Sequence, residues 1–287
     1  MNLTGQPAFV GRHCGSHTYD VTAEAVAHYA EAVGLTPPPG TDPTCAPSLL
    51  FHSECFKFLG EWYLANIFGN LHARQEWELF APLRVGSSVR SRSTIIGRYS
   101  KRGRDYVLNE TDLMDAATGQ LLVRGRTHQS FLPPRVGDPS TMVVDRDTAK
   151  KKQPPAPFPT ATGENLASTS RVIDERRCWL FSGPEKNYHN DRESARALGF
   201  PDIVVQGMMS TCFVAELMHQ RFGDGWVTGG KMDVKLTNVL WVNETVATHG
   251  RVREEVPEGT RTRVHCEVWA DKPDGTRILL GEASAVQ

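Results

Sequence analysis

The sequence predicts an α+β fold built twice: a buried helix followed by antiparallel strands, then the same order after a proline-rich break. Three observations carry this. First, residues 133–165 hold Pro133, Pro134, Pro139, Pro154, Pro155, Pro157 and Pro159, with Lys150, Lys151 and Lys152 among them. Proline fixes φ and removes an N–H donor, so 136–165 reads as a linker between an N-terminal domain, 1–135, and a C-terminal domain, 166–287. Second, Met208, Cys212, Ala215 and His219, and also Met209 and Phe213, recur at helical spacing along Gly207–Phe222. That helix is apolar over much of its surface, as a buried helix is. Third, Val264, Cys266, Val268 and Ala270 alternate with Arg263, His265, Glu267 and Trp269, the pattern of a strand with one face buried.

In the first half, Thr22 is positioned to cap a helix over Ala23–Val33, and Gly34 stops it. A second apolar helix is expected over Glu54–Phe68. Strands follow at Leu71–Phe80, Ser88–Tyr99, Asp105–Met114 and Leu121–Phe131, joined by turns at 100–104 and 115–119. The second half opens with short helices near 174–181 and 192–198. The long helix then ends at Gly223, ahead of strands near 231–240, 245–254, 261–270 and 278–285. A helix wrapped by a curved antiparallel sheet is the hotdog arrangement. Two linked copies make a double hotdog.

Composition narrows the function classes. With 287 residues, 39% hydrophobic and 23% charged, the chain can bury a core and is not globally disordered. A net charge of −1 gives no electrostatic reason to expect nucleic acid or an anionic membrane as partner. Cysteines 14, 45, 55, 178, 212 and 266 form no C-x-x-C pair and no zinc-like cluster, so no metal is implied and a reducing compartment is expected. There is no signal-peptide pattern and no apolar run of about 18 residues, so the expected setting is cytoplasmic.

The chemistry concentrates in Phe181-Ser-Gly-Pro-Glu-Lys-Asn-Tyr-His-Asn-Asp191, followed by Phe200-Pro-Asp-Ile-Val-Val-Gln-Gly-Met-Met209. His189 titrates near neutrality and suits general acid/base work. Gly207, at a strand-to-helix turn, can offer its N–H to an oxygen that gains charge. Asn187, Tyr188, Gln206 and Met208 are candidates for substrate contact. Asp191 either orients His189 or caps the helix after it, and the cap is the plainer reading. His72 and Glu76 have the same strand parity and should share a face, within reach of a cleft between the halves. His52 and Glu54 are weaker candidates, as is Glu185. Arg98, Lys101, Arg102 and Arg104 read first as a solvated hairpin tip and second as a phosphate cradle.

Ser182, Gly183, His189, Asp191, Ala195, Gly199, Phe200, Gln206, Gly207 and Met208, in that order, resemble the catalytic loop and helix start of the MaoC-like (R)-specific enoyl-thioester hydratases and dehydratases. In the first half, 71–86 and 98–104 are similar to the opening strand and hairpin of the degenerate N-terminal hotdog in double-hotdog members. The resemblance spans nearly the whole chain. It implies addition or removal of water at the α,β bond of an acyl thioester, with coenzyme A or an acyl carrier as the substrate's handle and no cofactor. It also implies a homodimer, since hotdog sheets associate edge to edge. The loop departs from the family at two places: the Asp position is Pro184 and the Asn position is Lys186. Proline accepts no proton, so the usual Asp–His pair cannot form. Three alternatives follow: a thioesterase using Glu216 or Glu54, an enzyme acting on a non-thioester natural-product intermediate, or an acyl-binding protein without catalysis.

Overall fold

The computed structural model describes residues 9–36, 40–57, 71–131, 144–145 and 163–287. In chain order these form β1 (His13–Asp20), α1 (Ala23–Val33), β2 (Cys45–Ala46) and a 3₁₀ turn (His52–Cys55). Then come β3 (Leu71–Leu79), β4 (Leu83–Arg84), β5 (Ser88–Lys101), β6 (Arg104–Asp115), β7 (Leu121–Phe131) and β8 (Val144–Asp145). The second half has β9 (Thr169–Val172), α2 (Glu175–Ser182), α3 (Arg192–Ala197), α4 (Gly207–Phe222) and α5 (Asp224–Val227). It closes with β10 (Lys231–Leu236), β11 (Thr245–Glu258), β12 (Arg261–Asp271) and β13 (Arg277–Val286).

Local chemistry sets the helix ends. Thr22 accepts the Ala25 N–H at 3.0 Å, and Gly34 adopts the left-handed conformation, φ 70°, that lets its own N–H reach the Ala30 carbonyl. Asp174 caps α2 by accepting the Arg177 N–H at 2.8 Å.

One sheet runs through both halves, in the order β1-β5-β6-β7-β3-β10-β13-β12-β11-β9. The order is a palindrome of equivalents: β1 answers β9, β5 answers β11, β6 answers β12, β7 answers β13, and β3 answers β10. The two sets meet where β3 pairs antiparallel with β10, from Glu78 opposite Lys231 to Arg74 opposite Lys235. Helix α4 packs on β11, β12 and β13, and Met208 through Met218 are all buried. This is the double hotdog that the element order predicts, with α4 as the enclosed helix of the second half.

Some expected elements shift. β10 stops at Leu236, after which Thr237 bonds the Ile278 and Arg277 carbonyls across the turn. β11 continues to Glu258, because its hairpin with β12 stays paired to Arg261. Of the helix expected over 54–68, the described part is the 3₁₀ turn and Phe56–Lys57; 58–70 lie outside the described residues. So does the expected linker, except Val144–Asp145, which pairs parallel with Tyr99 and Ser100, and 163–165. No described helix is long and apolar enough to cross a membrane.

Candidate active site

The site forms at the N-terminus of α4, beside the seam between the two halves. The α2–α3 loop is held by its own amides. Asn187 donates to the Ser182 and Glu185 carbonyls at 2.8 and 2.9 Å, and its Oδ1 accepts the His189 N–H at 2.9 Å. Asn190 accepts the Asn187 N–H and donates to Glu185 O. These bonds occupy the Asn187 side chain inside the loop and fix where His189 leaves it. Asp191 caps α3: it accepts the Ser194 N–H and hydroxyl, each at 2.9 Å, and pairs with Lys186 at 3.0 Å. Those donors pull its carboxyl down to about 2, and its hydrogen bonds go to Ser194 and Lys186, away from His189. Pro184 is exposed on the same loop.

His189 is half-buried, with its ring 3.9 Å from Tyr188, which in turn stacks on Phe200. Its Nδ1 meets the Val204 carbonyl at 2.8 Å. A carbonyl only accepts, so Nδ1 carries the proton and Nε2 keeps the lone pair. Burial lowers the His189 pKa to about 4, partly opposed by the Val204 bond, so the ring is neutral at physiological pH.

Val204 lies three residues before Gly207, the first residue of α4. Gln206 makes no side-chain cap, and the Gly207 N–H meets no acceptor among the described residues. An uncapped first turn leaves donors and the positive end of the helix dipole available to an anionic oxygen. Gly207 also sits close to both halves, and a side chain there would have to displace the tip of Leu236. A Cβ there would stand 2.5 Å from Leu236 Cδ1 on β10 and 3.7 Å from His72 Nδ1 on β3. Gln206 Oε1 is buried without a partner, and the Met208 side chain is fully enclosed by the core.

His72 reaches this point because β3 does not hold regular parity. The β3–β7 register slips between His72 and Arg74, a bulge that turns His72 toward the Gln75 side of the sheet. The expectation that His72 and Glu76 share a face is therefore corrected. Glu76 instead accepts from His128 Nε2 at 3.0 Å and lies between Arg74 and Arg126.

The other candidates lie elsewhere. His52 stacks on Phe181, centroids 4.1 Å apart, beside a cavity of about 400 Å³ between α1 and α2. Glu54 is buried against Ser91 at 2.7 Å, with His17 and Lys57 near. Glu216 faces a second cavity of about 280 Å³ and is held by Arg171 at 2.7 Å. Arg98 pairs with Asp105 at 3.8 Å, both buried, so it is no part of a solvated hairpin tip.

The family model described as MaoC like domain matches residues 158–268, and that described as FAS1-like, dehydratase domain region, matches 8–121. Each half of the chain is thus similar to a dehydratase domain, the second half to the MaoC-like domain. Among solved structures, a MaoC-like dehydratase aligns at a TM-score of 0.73 with 19% identity, covering 97% of this chain and 98% of the other. A MaoC-like dehydratase from Phytophthora capsici aligns at 0.71 with 16% identity, over 100% and 98% of the two chains. A Mycobacterium tuberculosis protein described as having a double hotdog fold aligns at 0.59 with 14% identity, over 98% of each. No curated protein matches. These matches support hydratase or dehydratase chemistry at the level of the family. What sequence reasoning missed at the site is the orientation of His72, and no residue pattern around Ala73 signals the bulge.

Proposed function

We propose that this MaoC-like protein is a hydro-lyase that adds or removes water at the α,β bond of an acyl thioester carried on coenzyme A or an acyl carrier. The C-terminal half, 166–287, supplies His189 and Gly207, and the N-terminal half, 1–135, supplies a wall. The observation that carries this reading is a neutral imidazole tethered through Nδ1 one turn ahead of a helix-start N–H that meets no acceptor among the described residues.

In the dehydration direction, His189 Nε2 takes the α-proton as the C–H bond breaks. The electron pair moves onto the thioester oxygen, which the Gly207 N–H stabilises as it gains charge. As the enolate collapses, the β C–O bond breaks and the imidazolium returns its proton to the leaving hydroxyl, which departs as water. One histidine thus acts as base and then acid. The thioesterase alternative ranks second, because Glu216 and Glu54 are both held by basic or hydroxyl partners.

Incubation with a panel of 2-enoyl-CoA and 3-hydroxyacyl-CoA thioesters, read by mass, tests this. The expected result is a change of about 18 Da, the mass of water, that disappears in His189→Ala, a loss of at least about 100-fold. Release of free coenzyme A that survives His189→Ala would move the assignment to a thioesterase.

A further inference from the structure

The missing loop carboxylate leaves the lyase reading one group short. His189 can move a proton, but its loop places no carboxylate beside it: Pro184 has no side-chain acceptor, and Glu185 is exposed to solvent. The second half offers no replacement: Asp191 is engaged by Ser194 and Lys186, and Asn187 by its own loop. The first half does.

His72 sits across the seam with its ring held in one tautomer. Gln75 donates its amide N–H to the Glu76 carbonyl at 3.0 Å, so its Oε1 is the atom that meets Thr127 at 2.8 Å and His72 Nε2 at 3.1 Å. Nε2 therefore carries the proton, and Nδ1, the atom that faces Gly207, carries the lone pair. Three influences keep this ring uncharged. Burial is the largest and lowers its pKa to about 4, partly offset by hydrogen bonding to the Gln75 side chain and the Arg74 backbone, while His128 and His189 lower it further. The positive end of α4 acts in the same direction. A neutral acceptor beside an oxyanion donor and a base is what a reacting water requires.

We propose that His72 is a catalytic residue of this lyase, standing in for the carboxylate lost at Pro184: its Nδ1 accepts a hydrogen bond from the reacting water or leaving hydroxyl. This rests on the lyase reading above. In hydration, one O–H of the water points to His72 Nδ1 and stays intact. The other O–H breaks and its proton goes to His189 Nε2. The oxygen bonds to the β-carbon, the C=C electrons shift onto the thioester oxygen at the Gly207 N–H, and His189 returns the proton to the α-carbon. His72 starts and ends neutral.

The test uses the full chain with 2-enoyl-CoA. His72→Ala is expected to lower kcat about 100-fold with little change in KM, and His72→Gln, whose Oε1 also accepts, to recover about tenfold of that loss. If the wild type hydrates the thioester and His72→Ala does so equally well, or loses only KM, His72 has no such role and the lyase reading stands. If the wild type hydrates no thioester, the lyase reading falls and this assignment with it. Should both variants fail to fold, ring ¹⁵N shifts of the wild type decide. A 3-hydroxyacyl-CoA without α-hydrogens, which cannot eliminate water, should move the His72 Nδ1 resonance, and an unmoved resonance overturns the proposal.

Discussion

The two halves share a strand plan but line their inner faces differently. In the second half, Val264, Cys266, Val268, Ala270, Ala283 and Ala285 are buried beneath an apolar α4. In the first half, the corresponding β5, β6, β7 and β3 bury Ser91, Ser93, Asn109, Thr111, Thr127 and Gln75. Most of these polar groups are paired: Asn109 donates to the Cys55 carbonyl at 2.7 Å, Thr111 to Ser93 at 3.1 Å, and Thr127 to Gln75 at 2.8 Å, while Asn109 Oδ1 is buried without a partner. Both halves bury apolar side chains, including Trp77, Val89, Leu113 and Val123 in the first, but the first half adds a hydrogen-bonded floor whose last member meets His72. A hotdog sheet tolerates either filling, because strand pairing is a main-chain property and leaves the inner face free to specialise.

Substitutions that separate the two fillings sharpen the contrast. The largest effect is expected in the apolar half. Phe213→Ala, at a fully buried site on α4, should cost about 3–5 kcal/mol in urea unfolding. A cost under about 1 kcal/mol would mean that α4 is not the core of its half. Next comes the polar floor. Thr127→Val removes one donor to Gln75 and should cost about 1–3 kcal/mol while also loosening His72, so kcat falls with stability. Apolar replacement of the whole Asn109–Thr111–Ser93 cluster by residues of similar shape should restore most of the stability, since a buried group is costly chiefly when its partner is left behind.

Acid should act on both halves. His52, His72 and His189 each have pKa values near 4, with burial as the first cause, against 6.5 when unfolded. A lowered histidine pKa means that the unfolded chain binds more protons. Stability is then fully present above about pH 6.5 and falls as pH drops toward 4. Melting temperatures measured across that window should decline, and His52→Gln should flatten the slope without touching turnover. The smallest effect belongs to Asp191→Ala. It should lose about 1 kcal/mol as a missing helix cap and leave the kcat pH profile unchanged.

The sequence displayed the apolar half far better than the polar one. Periodicity exposes α4 and the alternation of β12 because burial there is written in hydrophobic residues. Besides the two-residue strands, those it did not reveal, β1 and β9, end the main strand order of the sheet. Their residues, such as Ser16, His17 and Thr18 or Thr169 and Ser170, are polar, as edge strands tend to be, so no alternation marks them. Asn109 and Thr127 look like surface positions for the same reason. The candidate loop and helix start were proposed from the order of His189 and Gly207 along the chain, and the structure ties His189 to Val204 just ahead of that helix. The face of His72 was not legible, because one slipped register between His72 and Arg74 inverts a parity argument, and only the partner strand shows the slip.

The seam between β3 and β10 also sets the order in which this protein can come into being. Arg74 and Asp233, which pair across it, are 159 residues apart in the chain. During synthesis the first half emerges with β3 as an open edge, its backbone donors waiting for a strand the ribosome has not yet made. Such an edge is a template for pairing with another chain, so release of a truncated first half should favour aggregation over a soluble domain. The proposed site, which draws on His72 from one side of the seam and Gly207 from the other, can form only after this long-range pairing closes.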